Sequence, residues 1–135
     1  MGFQLDNISK NKTVAREESL STSFMQKEIT LFGSSFSNKT KEDFYTELSV
    51  LLKAGITLKD GLELIQNALK KKPDKEKLAA ISDDILSGAT LSDALRKQKE
   101  FTDYEYYSVK IGEETGSLTQ VCEQLGAFFG RKNEQ

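Results

Sequence analysis

Any catalysis in this chain would run on carboxylates, lysine amines, tyrosine phenols or one thiol, because its 135 residues include no histidine and one cysteine. Acid–base work needs a group that titrates near neutral pH, and nucleophilic work needs a base beside the nucleophile. Cys122 stands on a stripe with Leu118, Val121, Leu125, Phe128 and Phe129, which reads as a buried structural thiol. Glu113 and Glu114 resist so simple an account. The run "IGEETGSL" puts both in the last turn of a helix, where the macrodipole disfavours negative charge by about 0.3–1 kcal/mol each. Solvation at that cost, hydrogen bonds from a neighbouring helix N-terminus, a Lys or Arg partner, or a share in a divalent-cation site would each account for them. "SDD" at 82–84 is a second acidic spot. No ligand spacing joins the two, so a metal stays an open question, and no cofactor is expected.

These acids must be held by helices, and the helices announce themselves through a repeat. "AGITLKDGL" begins at Ala54 and "SGATLSDAL" at Ser87. Gly55 and Gly88 suit the left-handed position that ends a helix, where a side chain would clash. Thr57 and Thr90 cap the helix that follows, each with an Asp three residues on, at Asp60 and Asp93. Leu58 with Leu62 and Leu91 with Leu95 then begin an apolar face. "TGSLTQV" repeats the turn around Gly116 at a shorter interval. The aromatic and proline positions of tetratricopeptide repeats are missing, so the repetition is one turn reused and not a solenoid.

Between these turns the expected helices follow from apolar spacing. Thr40 with Asp43 opens the first, with Phe44, Leu48, Leu51 and Leu52 inward. The second carries Leu58, Leu62, Ile65 and Leu69 and stops before Pro73. Asp74 caps the third, with Leu78, Ile81 and Ile85 inward. The short fourth holds Leu91, Ala94 and Leu95. Thr102 and Glu105 open a fifth whose inward face is Tyr104, Tyr107, Ser108 and Ile111, and Ser117 opens the sixth. Short connections favour antiparallel neighbours. The expected fold is all-α, a compact bundle of six antiparallel helices over residues 39–131. Residues 1–38 are polar and lack sustained periodicity, so they read as a flexible N-terminal tail or docking segment, and residues 132–135 as a C-terminal tail.

Composition fits: 37% hydrophobic, 30% charged, one proline. A net charge of −2 gives no electrostatic footprint for nucleic acid or an anionic membrane. "KKKPDKEK" at 70–77 is a solvated hinge. The helix–Gly–helix turns match DNA-binding helix-turn-helix units in outline, but Lys59, Asp60 and Glu63 make a mixed face that phosphates would partly repel. A helical DNA-binding regulator is therefore the second functional reading, and a carboxylate enzyme the third. Tyr45, Tyr106 and Val109 fall outside the apolar stripes and are expected to be exposed, offering an interface for weak homodimerisation or partner docking.

Taken in order, the motifs resemble a known family. "FYTELSVLLKAGITLKDGLELI" and "ILSGATLSDALRKQKEFTDYEYYSVKIGEETGSLTQVCEQLGAFF" are similar to the first cytoplasmic domain of the inner-membrane platform protein of type II secretion and type IV pilus systems. The pattern falls on Gly55, Leu58, Gly88, Leu91, Phe101, Gly112, Glu113, Gly116 and Leu118, with Gly61 where the family usually has alanine. The resemblance implies a six-helix, non-catalytic scaffold on the cytoplasmic face of the bacterial inner membrane. It implies contact with the assembly ATPase and other platform components, and no nucleic acid. It also implies that a membrane span, absent from this chain, would follow residues 132–135.

Overall fold

Four of the helices begin where a hydroxyl oxygen takes a backbone N–H that the helix itself leaves without an acceptor. The computed structural model describes residues 36–133 as six helices: α1 Asn38–Lys53, α2 Leu58–Ala68, α3 Lys72–Leu86, α4 Leu91–Arg96, α5 Asp103–Thr115 and α6 Leu118–Asn133. Thr57, Thr90 and Thr102 accept from the N–H groups of Asp60, Asp93 and Glu105. At Thr102 the capping box is complete, because the Glu105 side chain accepts from the Thr102 N–H in return.

Two of the expected starts are corrected. Ser37, not Thr40, caps α1, and the Thr40 N–H donates to it. Asp74 does not cap α3: Lys71 stands at the cap without a side-chain bond and Pro73 lies in the first turn. Proline is tolerated there because its missing N–H would have had no intrahelical acceptor. Asp74, also in the first turn, is buried and accepts the Phe36 N–H at 2.8 Å. The ordered fold therefore starts before residue 39. Phe36 is a core residue, edge-on to Phe44. Residues 1–35, most of the expected tail, lie outside the described residues.

The repeated nonapeptides form the same turn. Gly55 and Gly88 have φ of +91° and +109°, and Gly116 has +72°. At the first two the hydrogen bonds correspond, Gly55 N–H to Leu52 O with Ile56 N–H to Leu51 O, and Gly88 N–H to Ile85 O with Ala89 N–H to Asp84 O. This is the Schellman pattern. No atom would crowd a Cβ at these three glycines, so backbone conformation alone selects glycine there.

Each helix packs on the next, and α1 against α6 closes the ring with the broadest contact of all. The core runs through Phe44, Tyr45 and Leu48 of α1, Leu62 and Ile65 of α2, Leu78 and Ile81 of α3, and Leu91 and Leu95 of α4. Val109 of α5 and Cys122, Leu125 and Phe129 of α6 complete it. All six helices are thus held by one core, and the described residues contain no strand.

Candidate functional site

Lys41 and Glu105 form the electrostatic centre of the domain, and both are buried. Lys41 sits three and four residues before Phe44 and Tyr45, so its stem follows the apolar stripe of α1 inward. Its Nζ donates to Glu105 Oε2 at 2.8 Å and to the Glu100 carbonyl. It also stands 5.0 and 5.1 Å from the ring centres of Phe101 and Phe129, a cation–π arrangement on two faces. Glu105 accepts the Tyr45 hydroxyl at 2.7 Å and the Thr102 N–H and hydroxyl at 2.9 and 3.0 Å. Burial, then the neighbouring Glu105 charge, hold the Tyr45 phenol well above its ordinary value, so it stays a donor. Lys77 of α3 continues the polar network, reaching Glu100 and Gln98 at 2.9 Å. The cluster ties α1, α3, α5, α6 and the α4–α5 connection to one point. Charges so enclosed fix geometry, with little net gain over a dry core.

Glu105 also sets the phase of α5, and this reverses the expected face. With Glu105 inward, Tyr106, Val109 and Gly112 follow it into the interior. Tyr104, Tyr107 and Ile111, expected inside, are exposed, while Tyr45, Tyr106 and Val109, expected outside, are buried. A tyrosine-rich helix offers two apolar stripes of similar strength, and the buried acid chooses between them.

The Glu113 puzzle has a local answer. Its carboxylate accepts the Ser92 hydroxyl at 2.6 Å and the Ser92 N–H at 3.1 Å. Ser92 lies in the first turn of α4, where the macrodipole is positive, so what is unfavourable for α5 is favourable for α4. Glu114 is exposed and has no such role. Glu113→Gln should cost about 1 kcal/mol in urea unfolding, from a weakened charge-assisted bond. Glu114→Gln should be neutral or slightly stabilising. Equal effects of the two changes would remove the special role of Glu113.

The other motif residues are distributed through the fold and do not form one pocket. Leu58, Leu91 and Leu118 are the first residues of α2, α4 and α6. Leu91 is buried and the other two pack against the core from its margin. Phe101 is buried between Phe36, Phe44 and Lys41. A Cβ on Gly112 would come within 3.1 Å of the Leu118 Cα and 2.9 Å of the Val121 side chain, so this glycine lets α5 approach α6. Burial pushes the Cys122 thiol up to about 12, leaving it a neutral packing group at pH 7. Asp84 lies 3.7 Å from Lys97, and among the described residues no group of three or more His, Cys, Asp or Glu could hold a metal. No helix among them is long and apolar enough to cross a membrane. Sequence reasoning missed Lys41, although its register on the Phe44–Tyr45–Leu48 stripe was the available signal.

Residues 44–135 match the family described as type II secretion system (T2SS), protein F. The type IV pilus assembly protein PilC of Thermus thermophilus is 29% identical over 91 residues, 67% of this chain and 22% of its own length. The protein transport protein HofC homolog of Haemophilus influenzae is 30% identical over 95 residues, 70% of this chain and 23% of its own. The type II secretion system protein F of Xanthomonas campestris is 27% identical over 88 residues, 65% and 22% of the two lengths. The chain thus spans less than a quarter of these relatives. The matched stretch begins after the α1 cap and Lys41, at Phe44, and includes every turn, cap and buried charge from there to the end of α6; by that match the chain belongs to the type II secretion system protein F family, alongside its type IV pilus assembly relatives.

Proposed function

We propose that this domain is a non-catalytic scaffold of a type II secretion or type IV pilus platform, working at the cytoplasmic face of the bacterial inner membrane. Its partners in this reading are the assembly ATPase and neighbouring platform components, and it self-associates weakly. The observation that carries the reading is the family match across nearly the whole helical unit. The distribution of polar groups agrees with it. The buried charges are spent on holding helices together, while exposed apolar side chains remain at Val50, Leu64, Leu86, Tyr104, Tyr107 and Ile111. Surfaces of that kind serve docking.

Pull-down and sedimentation with the purified ATPase of the same system test it. The expected result is specific binding of the ATPase, weak concentration-dependent self-association, and no binding of duplex DNA at physiological salt. Salt-sensitive DNA binding, with no affinity for the ATPase or for other platform components, would replace the scaffold with a DNA-binding regulator.

A further inference from the structure

The outward face of α5 carries a row that the core does not use. Tyr104, Tyr107 and Ile111, spaced i, i+3, i+7, are 52%, 54% and 57% exposed. Phe128 of α6 extends the row sideways, with its ring centre 4.9 Å from that of Tyr104. Four large apolar side chains on adjoining helices make a continuous strip, where scattered ones would call for no explanation.

Cations border the strip on both sides. On the α6 side Lys132 Nζ stands 5.3 Å from the Phe128 ring centre. On the α4 side the Arg96 guanidinium lies 4.2 Å from the ring centre of Tyr106, which touches Tyr107, and Lys110 Nζ lies 5.8 Å from the same ring. Among the described residues, none of these three cations has a carboxylate within ion-pair distance. The acids of this helix that face solvent, Asp103 and Glu114, stand near its two ends. Elsewhere on the domain exposed lysines do find acids, as Lys39 does with Glu42 and Asp43 and Lys53 with Glu123.

We propose that this strip is the docking surface for an amphipathic helix of a partner protein, one whose apolar face is flanked by acidic residues. The proposal rests on the scaffold reading and adds to it the surface and the chemistry of the partner. The apolar row supplies the anchors and the bordering cations, of which Arg96 also senses the Asp103 charge, supply register and orientation. A second copy of this chain fits poorly. A symmetric contact presents the same patch from both sides, so basic rims would meet basic rims.

The test uses the 135-residue chain and three synthetic amphipathic helices that share one leucine stripe and differ only in flanking residues: glutamate, glutamine or lysine. The glutamate-flanked helix should bind about tenfold or more tighter than the glutamine-flanked one, and the lysine-flanked one weakest. Its binding should move the amide resonances of Tyr104, Tyr107, Ile111 and Phe128. Charge reversal by Arg96→Glu with Lys110→Glu should invert the order while leaving helicity unchanged. Tyr107→Ser with Ile111→Ser, both at exposed positions, should abolish binding without unfolding the domain. Equal affinity for the three peptides, no binding, or shifts centred instead on the cleft between α1 and α2 that Leu51, Leu64 and Leu69 line would overturn the proposal. Self-association of the wild-type chain that the Tyr107→Ser, Ile111→Ser variant abolishes would assign the strip to a second copy and overturn it also. If the purified ATPase or another platform component binds equally to wild type and this variant, the surface fails and the scaffold reading stands. If none of them binds wild type, the scaffold reading fails.

Discussion

Lys41→Met is expected to cost the domain about 3–5 kcal/mol, the penalty for leaving a buried carboxylate without its counter-charge. Methionine fills much of the space of the lysine stem, so little of the loss is due to a cavity. What remains is Glu105, fully buried, with hydrogen bonds from Tyr45 and Thr102 and no cation. The exposed pair partner Lys39 gives the contrast. It sits at the surface beside Asp43 and Glu42, and Lys39→Met should leave stability nearly unchanged. The double variant Lys41→Met, Glu105→Gln should recover part of the loss, because a neutral amide keeps some of the hydrogen bonds without an unpaired charge. Urea unfolding of wild type, Lys41→Met, Glu105→Gln and the double variant gives the coupling directly. A loss below about 1 kcal/mol for Lys41→Met, with no recovery in the double variant, would mean that the Lys41–Glu105 pair does not hold the helices together.

The same pair marks where sequence reading succeeds and where it stops. The turns were legible because their chemistry is local: a glycine that must take positive φ, a threonine and an acid three residues later. Gly55, Gly88 and Gly116, and the caps at Thr57, Thr90 and Thr102, are all where that chemistry puts them. The face of α5 was not legible, because its tyrosines satisfy two stripes and the tie is broken by a residue 64 positions away. Lys41 selects Glu105, and Glu105 carries Val109 and Gly112 inward with it. The start of α3 fails for a related reason. Asp74 has the right type for a cap, but it is drawn into the interior by the Phe36 N–H, a contact between segments distant in sequence. Glu113 lies between these cases. Its awkward position in α5 was visible, and the alternatives included a neighbouring helix N-terminus; only the fold could name Ser92.

Helix α6 carries a second large effect of this long-range kind, at Gly126. A Cβ there would stand 2.5 Å from Thr46 Oγ1, 3.2 Å from the Thr46 N and 3.4 Å from its Cα. The hydroxyl can turn away, but the α1 backbone cannot, so α1 and α6 approach this closely only because position 126 has no side chain. Gly126→Val should force the two helices apart and cost about 3 kcal/mol or more, the upper range for overpacking. Separation would also strain the stacking of Tyr45 on Phe129 and lift Phe129 from Lys41, so the steric and electrostatic losses fall on the same joint. Gly130, one turn further on, supplies the control. Its Cβ would meet only the end of the Glu42 side chain, at 2.9 Å, and that carboxylate can swing into solvent. Gly130→Ala should therefore keep most of the roughly 1 kcal/mol that alanine gains over glycine in a helix. Opposite signs at two glycines on one helix cannot come from helix propensity, which favours replacement at both. Thermal unfolding of Gly126→Val and Gly130→Ala decides the matter: a stable Gly126→Val protein would mean that α1 and α6 do not pack backbone to backbone at Thr46.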